Sequence, residues 1–545
     1  MVVKTVPAKA TRASPSAVKT GAVASAHPLA SAAGLKVLKK GGNAVDAAVA
    51  TSLALGVVAP AFSGIGGGGF FMVHLRGGET LYVDYREVAP GASRAEMFEL
   101  DADGEPVDFA SSMGYRAVGV PGTVAGLTYA LENYGRLKFR DVASYAIDYA
   151  RKGFAVSRFL GYIMSNNVDN TSLKFRRFQE TGRSWLKEAR TYRTGERKLS
   201  RDLAVSLEMI GRDGRDAFYS GPLASAIAGD MSKNGGPLVE SDLARYSVKV
   251  RKPVTGTYRG LEVHTMPPPS MGGLAILQLL NIFENMDLGS MRLNTAESIG
   301  AMAKGLAVVW PVLRKEVADP EFQTADLGRL SSKEYAAKLW FGRGERGASS
   351  GRDARSQTTH LSVIDREGNV AAITESIECY FGSGVTVPGT GFCLNDTMHD
   401  FDPKPGGPNS IAPGKRPLSN MAPTLLLRDG EPYLVAGSAG GPRIVTATLQ
   451  TILNVVDHSL DLQRAVDAPR IHYQGSGAIK MESRIGSSAR KGLMAMGFRS
   501  ETPNYVQLKP GYDVYFGGVN AVMVGPRGAP RGAADPRRQG GVSVG

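Results

Sequence analysis

The chain has 545 residues, 43% hydrophobic and 21% charged, a balance that excludes a disordered polymer and suffices for a large buried core. Its net charge of +13 arises from lysines and arginines spread along the chain, with clusters only at 173–201, 343–355 and 527–538. No aromatic-interleaved basic motif accompanies them, so the expectation is no nucleic acid and a surface that attracts small anions.

Residues 1–20 are basic and rich in small side chains, without the continuous apolar core of a secretory signal. They read as a disordered tail, and a cytoplasmic location follows as the expectation. GAVAS at 21–25 reads as a strand. A helical pattern over 27–40 stops at Gly41-Gly42, and Asn43 then caps an alanine-rich helix over 44–58. That helix has small residues nearly all round, so it must be buried against close neighbours. A glycine loop at 64–69 leads into a strand over 70–75, with a second strand at 80–86. A phosphate cradle would need those glycines to open a helix, so they read as tight packing beneath a site.

Residues 115–240 are mainly helical in pattern. A strand pair spans 253–266, the loop PPPSMGG feeds an apolar helix over 274–284, and another helix spans 295–317. No run approaches the length of a transmembrane helix. Residues 342–357 are rich in arginine and glycine and poor in apolar side chains, which marks a flexible linker or the tail left after a cut.

The stretch SQTTHLSVIDREGNVAAITES, 356–376, then gives an alternating strand over 358–364, a turn and a second strand over 370–376. A hairpin centred on Glu367 sets Thr358 opposite Ser376. A threonine hydroxyl is a poor nucleophile unless a base takes its proton. If the chain is cut between Gln357 and Thr358, the new α-amine, with a reference pKa close to neutral, supplies that base. Thr and Ser are also common in strands, so other residues must support the reading.

Several do. Gly440-Gly441 stand between a strand and a helix over 442–456, where backbone N–H groups suit a developing oxyanion, or simply make a turn. Ser419 and Asn420 lie in a polar loop amid strands. Asp400 lies in NDTMHDF, as a ligand or in a solvated turn. Arg86, ending a strand, offers a planar fork for a carboxylate, or a surface ion pair with Asp84 or Glu87. No His/Cys/Asp spacing fits a metal site and no Gly-x-Ser-x-Gly elbow accompanies a serine. The two cysteines, Cys379 and Cys393, are too few for a disulfide framework and read as reduced thiols.

Taken together, ASAHPLASAAGLKVLKKGGNAVDAAVA, GIGGGGF, DYREVAP, VPGTVAGL, PPPSMGG, TTHLSVID, FGSGVTVPGTG, LNDTMHDF, PGKRPLSNMAPT and GSAGGPRI resemble the γ-glutamyltransferase family of N-terminal-nucleophile hydrolases, over about residues 21–474. The resemblance implies an α+β fold, a four-layer αββα sandwich. It implies one precursor cut between Gln357 and Thr358 into a large subunit, 21–357, and a small catalytic subunit, 358–545, that stay one globule. Thr358 would be the nucleophile, with Ser376 beside it and Gly440 and Gly441 holding the oxyanion. Arg86 and Ser419 would hold the α-carboxylate of a γ-glutamyl donor such as glutathione, and Asp400 its α-amine. The acyl group would pass to water or to an amino acid or peptide, with no cofactor and no metal. Departures from the pattern fall at the pocket: Glu378 replaces an asparagine, Asn420 a second serine and Thr397 a Gln or Glu. Only five residues, 410–414, stand where lidded members carry a longer insert. An acylase or amidase of the same fold, like cephalosporin acylases or an oxamate amidase, is therefore the alternative, and an uncut pseudoenzyme serving as a binding protein is another.

Overall fold

The computed structural model describes residues 20–342, 357–525 and 528–545. Two antiparallel sheets stack face to face. The first has seven strands, in the spatial order Gly541–Val544, Gly21–Ser25, Gln357–Asp365, Val370–Glu378, Gly68–His74, Thr80–Tyr85 and Lys249–Arg251. The second has six, in the order Pro530–Ala534, Gly518–Val524, Glu431–Ala439, Thr424–Arg428, Leu261–Thr265 and Val254–Tyr258.

The period of two along each strand makes the layers. In the first sheet Val23, Phe71, Val83, Leu361, Val363, Ala371 and Ile373 join a core shared with the helices Pro28–Lys39, Ala44–Val58 and Thr123–Tyr134. Their neighbours Ala22, Ala24, Phe70, Met72, Tyr82, Ile364 and Ala372 face the other way, into a core shared with the second sheet. Helices Gly272–Phe283 and Arg443–Val456 cover that sheet's outer face. The result is helix, sheet, sheet, helix, the expected αββα sandwich.

The alanine-rich helix runs over Ala44–Val58, closed by a capping box between Asn43 and Asp46. Its small residues serve the close approach expected of them: a Cβ on Gly34 of the preceding helix would lie 2.3 Å from Thr51 Oγ1. The glycine loop behaves the same way, since a Cβ on Gly67 would meet the Ser376 carbonyl oxygen at 2.0 Å. Both cysteines are free and buried.

One expectation needs correction. Ala296–Glu316 is a 21-residue helix long and apolar enough, by length and composition, to cross a membrane. Residues Ile299, Ala303, Leu306, Val309, Trp310 and Leu313 pack it into the second core, while Glu297, Lys304 and Arg314 interrupt its polar side. The apolar stripe therefore serves packing. The expected tail at 1–20 and linker at 342–357 lie, except at their last residue or at both ends, outside the described residues.

Candidate functional site

The turn after the Gln357–Asp365 strand fixes the register of everything before it. Asp365 Oδ1 accepts from the Glu367 and Asn369 N–H groups, and Asp365 Oδ2 accepts from Asn369 Nδ2 and from the Ala44 N–H at the start of a helix. The hairpin is centred as expected: Ile364 faces Val370 and Thr359 faces Glu375. At the open end the ladder shifts, and Gln357 faces Glu378. The extra residue belongs to the second strand: Ser376 and Ile377 together oppose Thr358, so a β-bulge in Val370–Glu378 replaces the expected one-to-one pairing of Thr358 with Ser376.

Three groups surround this bulge. The Ser376 hydroxyl donates to the Gln357 carbonyl oxygen and accepts from the Glu378 N–H at 2.8 Å. Arg538 Nη1 donates to the Thr358 carbonyl oxygen at 3.1 Å, and Arg538 Nη2 to Gln357 Oε1 at 3.0 Å. Gly440, with φ of 121°, brings its Cα so close that a Cβ there would lie 3.3 Å from Arg538 Nη2. Gly441 follows at φ 57°, and the helix Arg443–Val456 starts immediately after. The two glycines therefore stand just before a helix amino terminus, as the sequence suggested, with Gly440 packed against Arg538.

Behind the hairpin lies a buried charge cluster. Arg86 ends the Thr80–Tyr85 strand and is 1% exposed, so it is no surface pair. Asp84 takes its backbone N–H at 3.0 Å but directs its carboxylate to Arg251 and Arg416. The Arg86 guanidinium pairs with Asp400, with Glu87 at 3.4 Å and with Glu378 at 3.8 Å. Burial lowers the pKa of Arg86, and Asp400, Glu87 and Glu378 more than restore it, so the charge is permanent. Burial pushes Glu87 up to about 7 against the pull of Arg86. Glu378 has a left-handed backbone, φ 77°, uncommon for a residue with a side chain. Its carboxylate faces Arg86.

Asp400 closes a short 3-10 turn, Thr397–Asp400, rather than a solvated loop. Asn409 ties it to the next element: Asn409 Nδ2 donates to the Asp400 carbonyl oxygen at 2.7 Å, and Asn409 Oδ1 accepts from Leu418 N–H at 2.8 Å. Ser419 follows, its N–H bonded to the Pro269 carbonyl oxygen and its own carbonyl oxygen taken by Ser270 Oγ. The PPPSMGG loop thus supports the Ser419–Asn420 loop. Asn420 Oδ1 and Thr397 Oγ1 are buried without a hydrogen-bond partner among the described residues. Ser419 and Asn420 share no hydrogen bond with Arg86 there; they line up behind Asp400 through Asn409. No group of three or more His, Cys, Asp or Glu residues that could hold a metal occurs among the described residues.

Sequence reasoning missed Arg538 and Asn409. Arg538 sits in a basic cluster that reads as solvated charge, and only the strand pairing of the last thirty or so residues carries it to Thr358. The signal for Asn409 was its place just before the shortened 410–414 segment.

Residues 30–545 match the family model described as Gamma-glutamyltranspeptidase. The glutathione hydrolase proenzyme of Escherichia coli strain K12 is 37% identical, over 97% of this chain and 93% of that protein. The acylase ACY 1 proenzyme of Pseudomonas sp. strain SE83 is 36% identical, over 96% of this chain and 94% of that protein. Among solved structures, a cephalosporin acylase from Bacillus halodurans superposes with a TM-score of 0.86 at 27% identity, over 100% of this chain and 99% of that one.

Proposed function

This chain belongs to the gamma-glutamyltranspeptidase family, and on that premise we propose that it is a self-processing γ-glutamyl hydrolase and transferase. Thr358 Oγ attacks the Gln357 carbonyl carbon. The hydrogen bond from Ser376 to that carbonyl oxygen supports this step, since it stabilises the charge that develops on the oxygen. The peptide nitrogen departs as the α-amine of Thr358, and water then hydrolyses the ester. The products are a piece ending at Gln357 and a piece, 358–545, whose first residue is the nucleophile.

In the mature enzyme the Thr358 amine takes the proton from its own hydroxyl, and the oxygen attacks the γ-carbonyl of the donor. The backbone N–H groups of Gly440 and Gly441 hold the oxyanion. As the amide C–N bond breaks, the protonated amine returns its proton to the leaving nitrogen. The γ-glutamyl ester passes to water or to an amino acid or peptide amine.

The observation that carries the donor assignment is the buried Arg86–Asp400 pair. A cation and an anion side by side are complementary to a zwitterionic head group: Arg86, with Ser419, binds the α-carboxylate and Asp400 the α-ammonium. A γ-glutamyl anilide and a glutaryl amide, which lacks the α-amine, discriminate this from the acylase reading. The expected result is higher kcat/KM on the γ-glutamyl compound; preference for the glutaryl compound refutes it.

The acylase or amidase reading has its own support in the 36% identity to the acylase ACY 1 proenzyme and the TM-score of 0.86 to a cephalosporin acylase. The third reading, an uncut binding protein, is tested on a denaturing gel. Two bands with one chain starting at Thr358 are expected, and Thr358→Ala should remain one inactive band.

A further inference from the structure

Residues 402–416 form a loop tied to the chain beside each head-group residue. Asp402, two residues after Asp400, donates its N–H to the Asn409 carbonyl oxygen at 2.9 Å. Ala89, three residues after Arg86, donates to the Lys415 carbonyl oxygen and accepts from the Gly414 N–H, each at 2.9 Å. Leu418, next to Ser419, donates to Asn409 Oδ1 at 2.8 Å. Inside the loop the buried Lys415 donates from Nζ to the carbonyl oxygens of Pro408 at 2.7 Å and Ser410 at 3.0 Å. Ile411 packs with Ala89, Met97, Phe98, Met398 and Phe401 in a small core of its own. The loop is thus a frame joining the carriers of Arg86, Asp400 and Ser419.

At Asn409 two of these carriers meet in one side chain. A carbonyl oxygen only accepts and an N–H only donates, so Asn409 Nδ2 faces Asp400 and Oδ1 faces Leu418. The amide is planar, and with both ends engaged it fixes the separation between the main chain at Asp400 and at Leu418. Because the bond at Asp400 uses the main-chain oxygen, the carboxylate keeps its pairing with Arg86. A receptor that grips two charges on one carbon works only while its halves keep the spacing of those charges, and a misplacement of about 1 Å costs up to about 100-fold.

We propose that Asn409 is a positioning residue: it holds the Asp400 turn and the Ser419 loop at the separation that an α-amino acid head group requires. This deepens the γ-glutamyl reading and rests on it. Asn409 acts through Asp400 and Ser419, whose supporting main chain it bridges.

The test uses cleaved enzyme and the ratio of kcat/KM on a γ-glutamyl anilide to that on a glutaryl amide. Asn409→Leu, close in size and without either bond, should lower the ratio about tenfold, the scale of one or two lost hydrogen bonds. The loss should fall on KM rather than kcat, because the groups around Thr358 are untouched. In an Asp400→Asn background the same change should lower kcat/KM on the γ-glutamyl anilide by less than about threefold, since the partner it positions is already disabled. Ile411→Ala loosens the same loop but keeps both bonds; it should lower the urea midpoint and leave the ratio near that of the wild type. A ratio unchanged by Asn409→Leu, an equal loss in both backgrounds, or an equal loss in Ile411→Ala overturns the role. If the leucine variant remains uncut, Asn409→Ser, polar but too short to span both partners, replaces it; if that too remains uncut, Asn409 serves folding and the proposal falls. These failures leave the γ-glutamyl reading standing when the wild type prefers the γ-glutamyl compound. A wild type that prefers the glutaryl compound overturns that reading, and this role with it.

Discussion

The Ser376 hydroxyl donates a hydrogen bond to the carbonyl oxygen of Gln357, the residue just before Thr358. The partners meet because the partner strand bulges at Ser376-Ile377, opposite Thr358, which shifts Gln357 opposite Glu378 and leaves its carbonyl oxygen within reach of Ser376. The hydroxyl is thus aimed at the atom that gains negative charge when Thr358 attacks. Ser376→Ala should slow self-cleavage by about 100-fold or more, the usual cost of one oxyanion donor. Ser376→Thr, which keeps the hydroxyl, should cleave at a rate near wild type. Band intensities on denaturing gels over time measure both, and normal cleavage of the alanine variant would exclude the role.

Asp400 pairs with Arg86 and, in the proposed function, is the anionic half of the head-group receptor. Asp400→Asn keeps the shape and removes the charge. It should lower kcat/KM for a γ-glutamyl anilide by about 10- to 100-fold, the value of a charge-assisted hydrogen bond. A glutaryl amide has no α-ammonium to lose, so its kcat/KM should fall less. Equal losses on both would show that Asp400 only supports Arg86.

Gly440 adopts φ of 121°, a conformation that favours glycine, and a Cβ there would lie 3.1 Å from the Gly517 Cα and 3.3 Å from Arg538 Nη2. Gly440→Ala forces the turn to move, at about 1–3 kcal/mol of backbone strain. The expected outcome is a fall in kcat of about 100-fold with a smaller change in KM, since the oxyanion is met only in the transition state. Steady-state kinetics on the cleaved variant gives the split.

Glu375 gives a pH dependence of stability unconnected with turnover. Burial raises its pKa from 4.5 to about 7, despite hydrogen bonds from Ser52 and Tyr85. Its folded pKa exceeds its unfolded one. The neutral carboxyl therefore stabilises the fold fully below about pH 4.5, and that contribution is lost as pH rises through 7. The loss is up to about 3 kcal/mol. Glu375→Gln removes the ionisation, so urea midpoints at pH 5 and pH 8 should differ less in the variant than in wild type. Glu87, also raised to about 7, adds the same trend and leaves a residual slope.

Local features of the fold were legible where the sequence carries its own punctuation. Asn43 and the alanine run gave the Ala44–Val58 helix, and the Asp365-to-Asn369 turn gave the hairpin register. The bulge was not legible, because nothing in TESIE, 374–378, distinguishes a regular ladder from one shifted by a residue. Nor was the pairing of Gly541–Val544 with Gly21–Ser25, which depends on contacts between opposite ends of the chain. For the same reason Arg86 read equally well as exposed or buried. Its partners Glu378 and Asp400 are almost three hundred residues or more away, and only the stacked sheets bring them together. Residue types pointed to Thr358 and Ser376 as candidates, but Arg538, a cation among cations in sequence, meets Thr358 and Gln357 only because of where its strand-flanking turn lands.

The position of Thr358 within the first sheet has a consequence for the cut protein as an assembly. Strands from both sides of the cut alternate there: Gly21–Ser25 lies between Gln357–Asp365 and Gly541–Val544, and Gly68–His74 pairs with Val370–Glu378. A fourth ladder, Leu261–Thr265 with Thr424–Arg428, repeats the interleaving in the second sheet. A cut before Thr358 would therefore leave two polypeptides whose strands interleave in both sheets of one body. Separating them would break these ladders together, so the two pieces of a cut molecule are expected to stay paired with each other.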